Sequence, residues 1–232
     1  MTTRLPPPPL HLTLREWPRA AATVARLAVR WRGLGAGHVG DGRPVLVLPG
    51  LFNSDRSNVA LRGFLGRIGY DARGWGLGRN LGARTIGAEA ERLIARVDAF
   101  ASDAGQPVTL IGVSLGGIMA RLVAHRRPDL VREVITISSP YAAHPHATRV
   151  WRAFELFTGE RVDDPHVTAL AAEIVRPLPV PATAIWSASD GLVAGAACRG
   201  GDCREIEVRS GHLGVQLHPD VLLAVAGVLA TT

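Results

Sequence analysis

The chain has no lysine, so its 26 strongly basic residues are all arginine, a usage typical of GC-rich coding. The formal net charge is +6, but the arginines are spread along the chain and form no tract. Because no nucleic-acid-binding motif accompanies them, nucleic acid is not an expected partner. A weak contact with an anionic membrane surface is compatible with this charge.

Cysteine is also scarce. Cys198 and Cys203 are too few for a disulfide framework, and their spacing matches no zinc-binding pattern. A local disulfide across "CRGGDC" and two free thiols in a reducing compartment both remain open. The N-terminal stretch lacks a continuous apolar segment and carries four prolines, at positions 6–9. We therefore expect no secretory signal, no transmembrane helix and a cytoplasmic location.

Hydrophobic residues make up 47% of the 232 residues, enough for one folded domain of ordinary size. From position 43 onward, short apolar runs such as "RPVLVLPG" and "PVTLIGV" alternate with helical patterns. Fully apolar strands between helices are typical of a mostly parallel sheet with helices on both faces. The predicted fold class for residues 43–232 is therefore α/β, with helices predicted at 58–69, 85–103, 114–126 and 219–230.

Two segments depart from this alternation. Residues 1–42 are predicted to form a proline-rich segment and a basic amphipathic helix at 19–32, in which Val24, Leu27 and Trp31 share one face. A helix docked on the domain is favoured over one that lies on a membrane. Residues 140–180, bounded by prolines, are predicted to form a small, mainly helical insertion over the sheet edge, resembling a lid.

The sequence "LIGVSLGGIMA" places Ser114 between a predicted strand and a predicted helix, flanked by Gly112, Gly116 and Gly117. A nucleophile on a tight, strained turn projects its hydroxyl out of the sheet, and close strand–helix packing leaves no room for larger flanking side chains. The helix N-terminus also supplies N–H groups and a favourable dipole for a developing oxyanion. Ser114 is therefore the predicted nucleophile.

A serine hydroxyl needs a base to attack, and the base needs an orienting group. Asp190 follows the predicted strand "TAIWSAS", and His212 follows the next strand, "REIEVRS". Both fall where the loops of a parallel sheet meet, and the order Ser, Asp, His is the one that this type of turn predicts. The alternatives for the acid are Asp163, Asp164 and Asp202.

Two backbone N–H groups are candidates for an oxyanion hole. Leu115 directly follows the nucleophile, and Leu51 lies in "LPGLFNSD", where Pro-Gly lets the backbone turn after the first apolar run. Phe52 is an alternative donor in the same loop.

The stretch from position 43 to the C-terminus resembles the α/β-hydrolase superfamily, and most of all its compact bacterial esterase and lipase branch. The motifs that carry the resemblance are "VLVLPGLF", "GWGLGRN", "VSLGG", "VITISSP", "SASDGLV" and "SGHLG". The resemblance implies a serine carboxylic ester hydrolase with neither metal nor organic cofactor, and a triad of Ser114, Asp190 and His212. Pro49 departs from many relatives, in which a histidine often precedes the oxyanion-hole glycine.

The expected substrate is a small-molecule or lipid ester. Phe52, Trp151 and Phe154 are the candidate substrate contacts, since the aromatic residues of the insertion would form an apolar wall suited to acyl chains. Superfamily membership does not name a substrate, so an acyltransferase or a thioesterase with the same triad is the alternative. A non-catalytic binding protein is disfavoured because all three triad residue types are present.

Overall fold

The centre of the molecule is a six-stranded sheet, seen here in a computed structural model that describes residues 5–201 and 203–231. Its strands, in chain order, are Pro44–Leu48 (β1), Asp71–Gly74 (β2), Val108–Val113 (β3), Val131–Ile137 (β4), Ala182–Trp186 (β5) and Arg204–Glu207 (β6). They lie in the order β2-β1-β3-β4-β5-β6, and every neighbouring pair is parallel. The predicted α/β fold is therefore confirmed.

Helices cover both faces of this sheet. They are Leu10–Leu14 (α1), Glu16–Arg30 (α2), Val59–Arg67 (α3), Ala83–Ile86 (α4), Glu91–Ala104 (α5), Leu115–Arg126 (α6), Trp151–Thr158 (α7), Pro165–Ile174 (α8) and Pro219–Leu229 (α9). Successive residues of β1 alternate between two buried clusters, Val45 and Val47 in one, Leu46 and Leu48 in the other. The first cluster takes side chains from α2, α3 and α9, and the second from α5, α6 and α8. The central strands β1 and β3 read as continuous apolar runs because both of their faces are buried, whereas the edge strands β2 and β6 are polar and more exposed.

The single helix predicted at residues 85–103 is wrong. The chain forms α4 and α5 instead, separated by Gly87 at φ +90° and Ala90 at φ +57°. A left-handed residue ends the helical hydrogen-bond ladder, and the second helix starts at Glu91, whose carboxylate accepts the N–H of Glu89. The apolar spacing continues across the break because Ala90 remains fully buried.

The N-terminal helix begins three residues earlier than predicted and presents a different face. Val24, predicted to pack, is 53% exposed, whereas Glu16, Thr23 and Leu27 are buried. Trp31 packs only partly against the core. The apolar pattern predicted the wrong buried face because that face includes a glutamate, and a hydrophobicity pattern assigns a glutamate to the solvent side.

The segment at 140–180 contains α7 and α8, and Arg121 of α6 anchors α8. This guanidinium, 2% exposed, donates to the carbonyl oxygens of Ile174 and Arg176 at 2.7 Å each and lies 3.9 Å from the ring centroid of Tyr141. A buried cation is costly unless its donors are satisfied. The carbonyls at the end of α8 therefore fix the position of this helix over α6.

Both cysteines are free thiols in the structure. Cys198 is buried, and the Sγ of Cys203 lies 3.1 Å from the hydroxyl oxygen of Tyr141. Within residues 5–201 and 203–231, no helix has both the length and the apolar character needed to cross a membrane.

The turn from β3 into α6 brings backbone against backbone. A Cβ on Gly112 would overlap the backbone of Gly116 and Gly117, and a Cβ on Gly116 would lie 2.5 Å from the carbonyl oxygen of Leu48. Real Cβ atoms do not approach this closely, so α6 can pack here only if these positions are glycine. Close packing of α6 on β1 and β3 is what places Ser114 at the carboxyl end of β3.

We expect Gly112→Ala to destabilise the fold by about 3 kcal/mol or more, because the surrounding atoms are backbone and cannot move aside. The matched control is Gly63→Ala in the middle of α3, where an added Cβ meets nothing within 4 Å. That change is expected to stabilise the fold by about 0.5–1 kcal/mol. Denaturant unfolding measures both, and equal effects of the two substitutions would contradict the packing argument.

Candidate active site

Ser114 lies at the N-terminus of α6 with φ 51° and ψ −119°, a conformation that non-glycine residues rarely adopt. Its N–H donates to the carbonyl oxygen of Ile137 at 2.8 Å, which ties the turn to the end of β4. Backbone strain of this kind costs of the order of 1–3 kcal/mol and persists only where the surroundings enforce it. Here the glycines of the turn and the contact with β4 enforce it.

The structure brings Ser114, His212 and Asp190 into one chain of hydrogen bonds. The Nε2 atom of His212 lies 3.2 Å from the Oγ of Ser114, and its Nδ1 atom lies 2.7 Å from the Oδ2 of Asp190. Since a carboxylate can only accept, Nδ1 carries the proton and Nε2 is left to accept from the serine hydroxyl. Asp190 is 3% exposed, and its Oδ1 accepts the N–H groups of Leu192 and Val193 at 2.9 and 2.8 Å.

The environment of His212 favours its protonated form. Burial by itself lowers the pKa of this imidazole, but the charge and hydrogen bond of Asp190, together with the charge of Glu16, outweigh it. The pKa of His212 is therefore raised above its ordinary value. A base with a raised pKa accepts a proton more readily and is neutral, hence competent, on the alkaline side of that pKa.

The loop after β1 presents Leu51 to the same site. A Cβ on Gly50 would lie 3.3 Å from the Cβ of Ser114, so this loop runs beside the serine. The N–H of Phe52 donates to the carbonyl oxygen of Asn80 at 2.8 Å and is therefore not free, whereas the N–H of Leu51 makes no backbone hydrogen bond within the described residues. Leu115 is the first residue of α6, where an N–H has no acceptor within the helix.

Asn80 braces the loop after β1, a role that the sequence did not predict. Its side chain is fully buried, and its Nδ2 donates to the carbonyl oxygen of Pro49 at 2.7 Å. Its Oδ1 accepts the N–H of Gly82 at 3.1 Å. An amide from a segment about 30 residues away in the chain thus contacts this loop at Pro49. The motif "GWGLGRN" contained this residue, but no local pattern assigned it a partner.

A largely apolar cavity opens at Ser114 between α6 and the 140–180 segment. Its lining includes Leu51 and Leu115 beside the serine, and further residues from α4, α6, α7 and α8: Ile86, Ile118, Met119, Leu122, Trp151, Phe154, Val167, Leu170 and Ile174. Trp151 and Phe154, two of the candidate substrate contacts, lie on its wall. Phe52 does not line it; its ring packs edge-on against Phe157, with centroids 4.1 Å apart.

Two of the three alternative acids contact other groups, and the third is not among the described residues. Asp163 pairs with His144, with 3.7 Å between Oδ1 and Nε2, and Asp164 accepts the N–H of Arg161 at 3.2 Å. Both belong to the 140–180 segment. Asp202 lies outside the described residues.

Three side chains of that segment could hold a metal ion. The ligand atoms of His144, His146 and Asp163 lie within 4.8 Å of one another, and two imidazoles with a carboxylate match the ligands that zinc accepts. The contact between His144 and Asp163 already pairs two of these three side chains without a metal.

Fold and sequence together define the class of protein. The parallel sheet, the strand order and the serine on its turn after β3 are those of the α/β-hydrolase superfamily. Residues 59–179, just over half of the chain, match the family described as "Serine aminopeptidase, S33", and the chain belongs to that family. The matched region contains Ser114 and ends before Asp190 and His212. No curated protein matches the sequence.

Solved structures of lipolytic enzymes share the fold. A structure from the metagenome-derived lipolytic enzymes LipS and LipT has a TM-score of 0.62 and 17% identity, over 84% of this chain and 96% of that one. A Bacillus licheniformis lipase in its mature form has a TM-score of 0.64 and 15% identity, over 83% and 94%. A monoacylglycerol lipase of Paleococcus ferrophilus has a TM-score of 0.56 and 15% identity, over 82% and 96%. At identities this low, the structural similarity establishes a common fold and nothing more.

The pKa of His212 is measurable by NMR titration of its ring nitrogens, and in the wild type we expect it above the ordinary value of a histidine. In Asp190→Asn the attraction of the negative charge is lost while burial remains, so the pKa should fall below that value. Asp163→Asn, which alters an exposed acid paired with His144, is the control and should leave His212 unchanged. An unchanged pKa in Asp190→Asn would contradict the pairing.

Proposed function

We propose that this chain is a serine hydrolase that cleaves carboxylic esters with an apolar acyl group through an acyl-enzyme intermediate. The observation that carries the proposal is the hydrogen-bonded chain from Asp190 through His212 to Ser114, at the opening of an apolar cavity. Membership of a hydrolase family and the lipolytic enzymes among the fold relatives support the same chemistry.

In the acylation half, the Oγ of Ser114 attacks the ester carbonyl carbon while the Nε2 of His212 takes the hydroxyl proton. The imidazolium that forms is stabilised by the negative charge of Asp190, which stays ionised. The N–H groups of Leu51 and Leu115 bind the oxyanion of the tetrahedral intermediate. When that intermediate collapses, the bond to the alcohol oxygen breaks, and His212 returns its proton to the departing alcohol.

In the deacylation half, a water molecule replaces the alcohol. His212 takes a proton from the water as its oxygen attacks the acyl carbon, and the same two N–H groups bind the second oxyanion. Collapse releases the carboxylic acid and restores the proton to the Oγ of Ser114. Since each half-reaction starts from neutral His212, the rate should rise as pH passes the raised pKa of this residue.

The cavity accounts for the apolar character assigned to the acyl group. Its lining from α6 and α8 is mostly aliphatic, with Ile118, Leu122 and Leu170 among the wall residues and His166 as the one ionisable side chain of these two helices, and the aromatic rings of α7 close one side. An acyl chain in this cavity would leave water, and each buried methylene contributes about 0.8 kcal/mol. We infer that the insertion at 140–180 acts as a lid over the cavity at Ser114 within the domain of residues 43–232.

Ser114→Ala should abolish labelling by a fluorophosphonate probe and lower kcat for p-nitrophenyl esters by on the order of 10⁶-fold. The reason is that no other atom at this position can form the covalent intermediate. Ser102→Ala, on the exposed side of α5, is the matched control and should label and turn over like the wild type. Retained labelling in Ser114→Ala would overturn the assignment of the nucleophile.

Leu170→Trp is expected to fill the cavity and to lower kcat/KM for long-chain esters at least tenfold, with little effect on acetate esters. Ala172→Trp adds the same ring to the exposed side of α8 and serves as the control. A panel of p-nitrophenyl esters from acetyl to palmitoyl measures both variants. A uniform loss across the panel in Leu170→Trp would show that acyl chains do not occupy this cavity.

A further inference from the structure

The carboxylate of Glu16, the first residue of α2, lies between the two loops that carry Asp190 and His212. The residue is only 1% exposed. Its Oε1 accepts the N–H of Gly191 at 2.7 Å, and its Oε2 accepts the N–H groups of His212 and Leu213 at 2.8 Å each. The side chain of Glu16 therefore binds the backbone of Gly191, which follows Asp190, and the backbone of His212 itself.

Both loops are shaped to admit this N-terminal segment. A Cβ on Gly191 would lie 2.5 Å from the carbonyl group of Leu12, and a Cβ on Gly211 would lie 2.9 Å from the Oε2 of Glu16. Neither glycine has a positive φ, so neither is required by its own backbone conformation. The absence of a side chain at both positions is instead explained by the approach of residues 12–16.

Further bonds hold the same segment on the acid loop. The Oγ1 of Thr13 donates to the carbonyl oxygen of Gly191 at 2.7 Å, and the Nη1 of Arg19 donates to that of Ser189 at 2.5 Å. Residues on either side of Glu16 thus contact residues on either side of Asp190. The position of Glu16 relative to the loop is fixed independently of its own three bonds.

We propose that Glu16 is a positioning residue of the active site, which sets the spacing of the Asp190 and His212 loops and contributes a second negative charge to His212. This role rests on the proposed serine hydrolase function. Glu16 contacts the backbone of His212 and does not line the cavity. It would therefore act on the base and leave substrate binding unaffected.

The charge of Glu16 acts on the imidazole in the same direction as that of Asp190. These two carboxylates, from α2 and from the loop after β5, are the charged groups that raise the pKa of His212 against the opposing effect of burial. Removing the charge of Glu16 should consequently lower that pKa. The acid limb of the pH–rate profile, which reports the neutral fraction of His212, should move to lower pH.

Glu16→Gln is the decisive variant because it keeps the size of the side chain and removes its charge. We expect kcat for a p-nitrophenyl ester to fall by on the order of 10- to 100-fold, as for outer-shell partners of metal-bound histidines, with KM unchanged. The acid limb and the NMR-titrated pKa of His212 should both move down. Glu16→Asp keeps the charge, so its limb should stay nearer to that of the wild type.

The control is Arg30→Gln, which removes the exposed ion pair between α2 and Asp220 of α9 and leaves both loops untouched. It loosens the same helix and should change neither kcat nor the pKa of His212. A Glu16→Gln protein that loses thermal stability but keeps the wild-type pKa and acid limb would overturn the proposal. So would a limb that moves equally in Glu16→Asp, or the loss of native circular dichroism in both Glu16 variants.

These readouts separate this inference from the proposed function. If the wild type fails to react with fluorophosphonate and hydrolyses no ester, the hydrolase proposal fails. The NMR titration of His212 in Glu16→Gln still tests the charge contribution in that case, because it requires no turnover.

Discussion

The site depends on how closely the N-terminus of α6 approaches β1 and β3. Backbone contact at Gly112 and Gly116 leaves no room for side chains, and it places Ser114 in a strained conformation that the hydrogen bond to Ile137 holds. The same approach brings the first N–H groups of α6 and the loop at Gly50 to one point. Under the proposed mechanism, the nucleophile and the donors for its oxyanion are thereby positioned before any substrate arrives, and the backbone strain is offset during folding.

Buried charge organises the other half of the site. Asp190 and Glu16 are nearly inaccessible to solvent, and together they accept five backbone N–H groups, all from the two loops that follow β5 and β6. A buried carboxylate is tolerated when such donors replace its water. Because the donors belong to the backbone of the acid and base loops, satisfying the charges also fixes where His212 stands. Stability and geometry here have the same physical origin.

The sequence predicted those features that rest on local pattern. Alternating apolar runs indicated the parallel sheet, and the glycines around Ser114 indicated its turn. The roles of Asn80 and Glu16 were not predicted because their partners are distant along the chain. In sequence, a buried glutamate in the first turn of a helix resembles an ordinary acid near the helix dipole. The break between α4 and α5 was not predicted because the apolar spacing continues through it. Gly87, which ends α4, is a local signal of the break.

The wall of the cavity and the loop after β1 share one support. Asn80 holds the loop through Pro49 and Phe52, and three residues later the N–H of Ala83 donates to Glu160 of the insertion at 3.1 Å. Hydrogen bonds at residues 80–83 therefore connect the insertion to the loop that contains Leu51. Under the proposed mechanism, acyl binding and oxyanion stabilisation are then not independent: a chain that fills the cavity and packs the insertion also steadies the oxyanion donor. Such coupling would appear in kcat as well as in KM, since the oxyanion contact strengthens in the transition state.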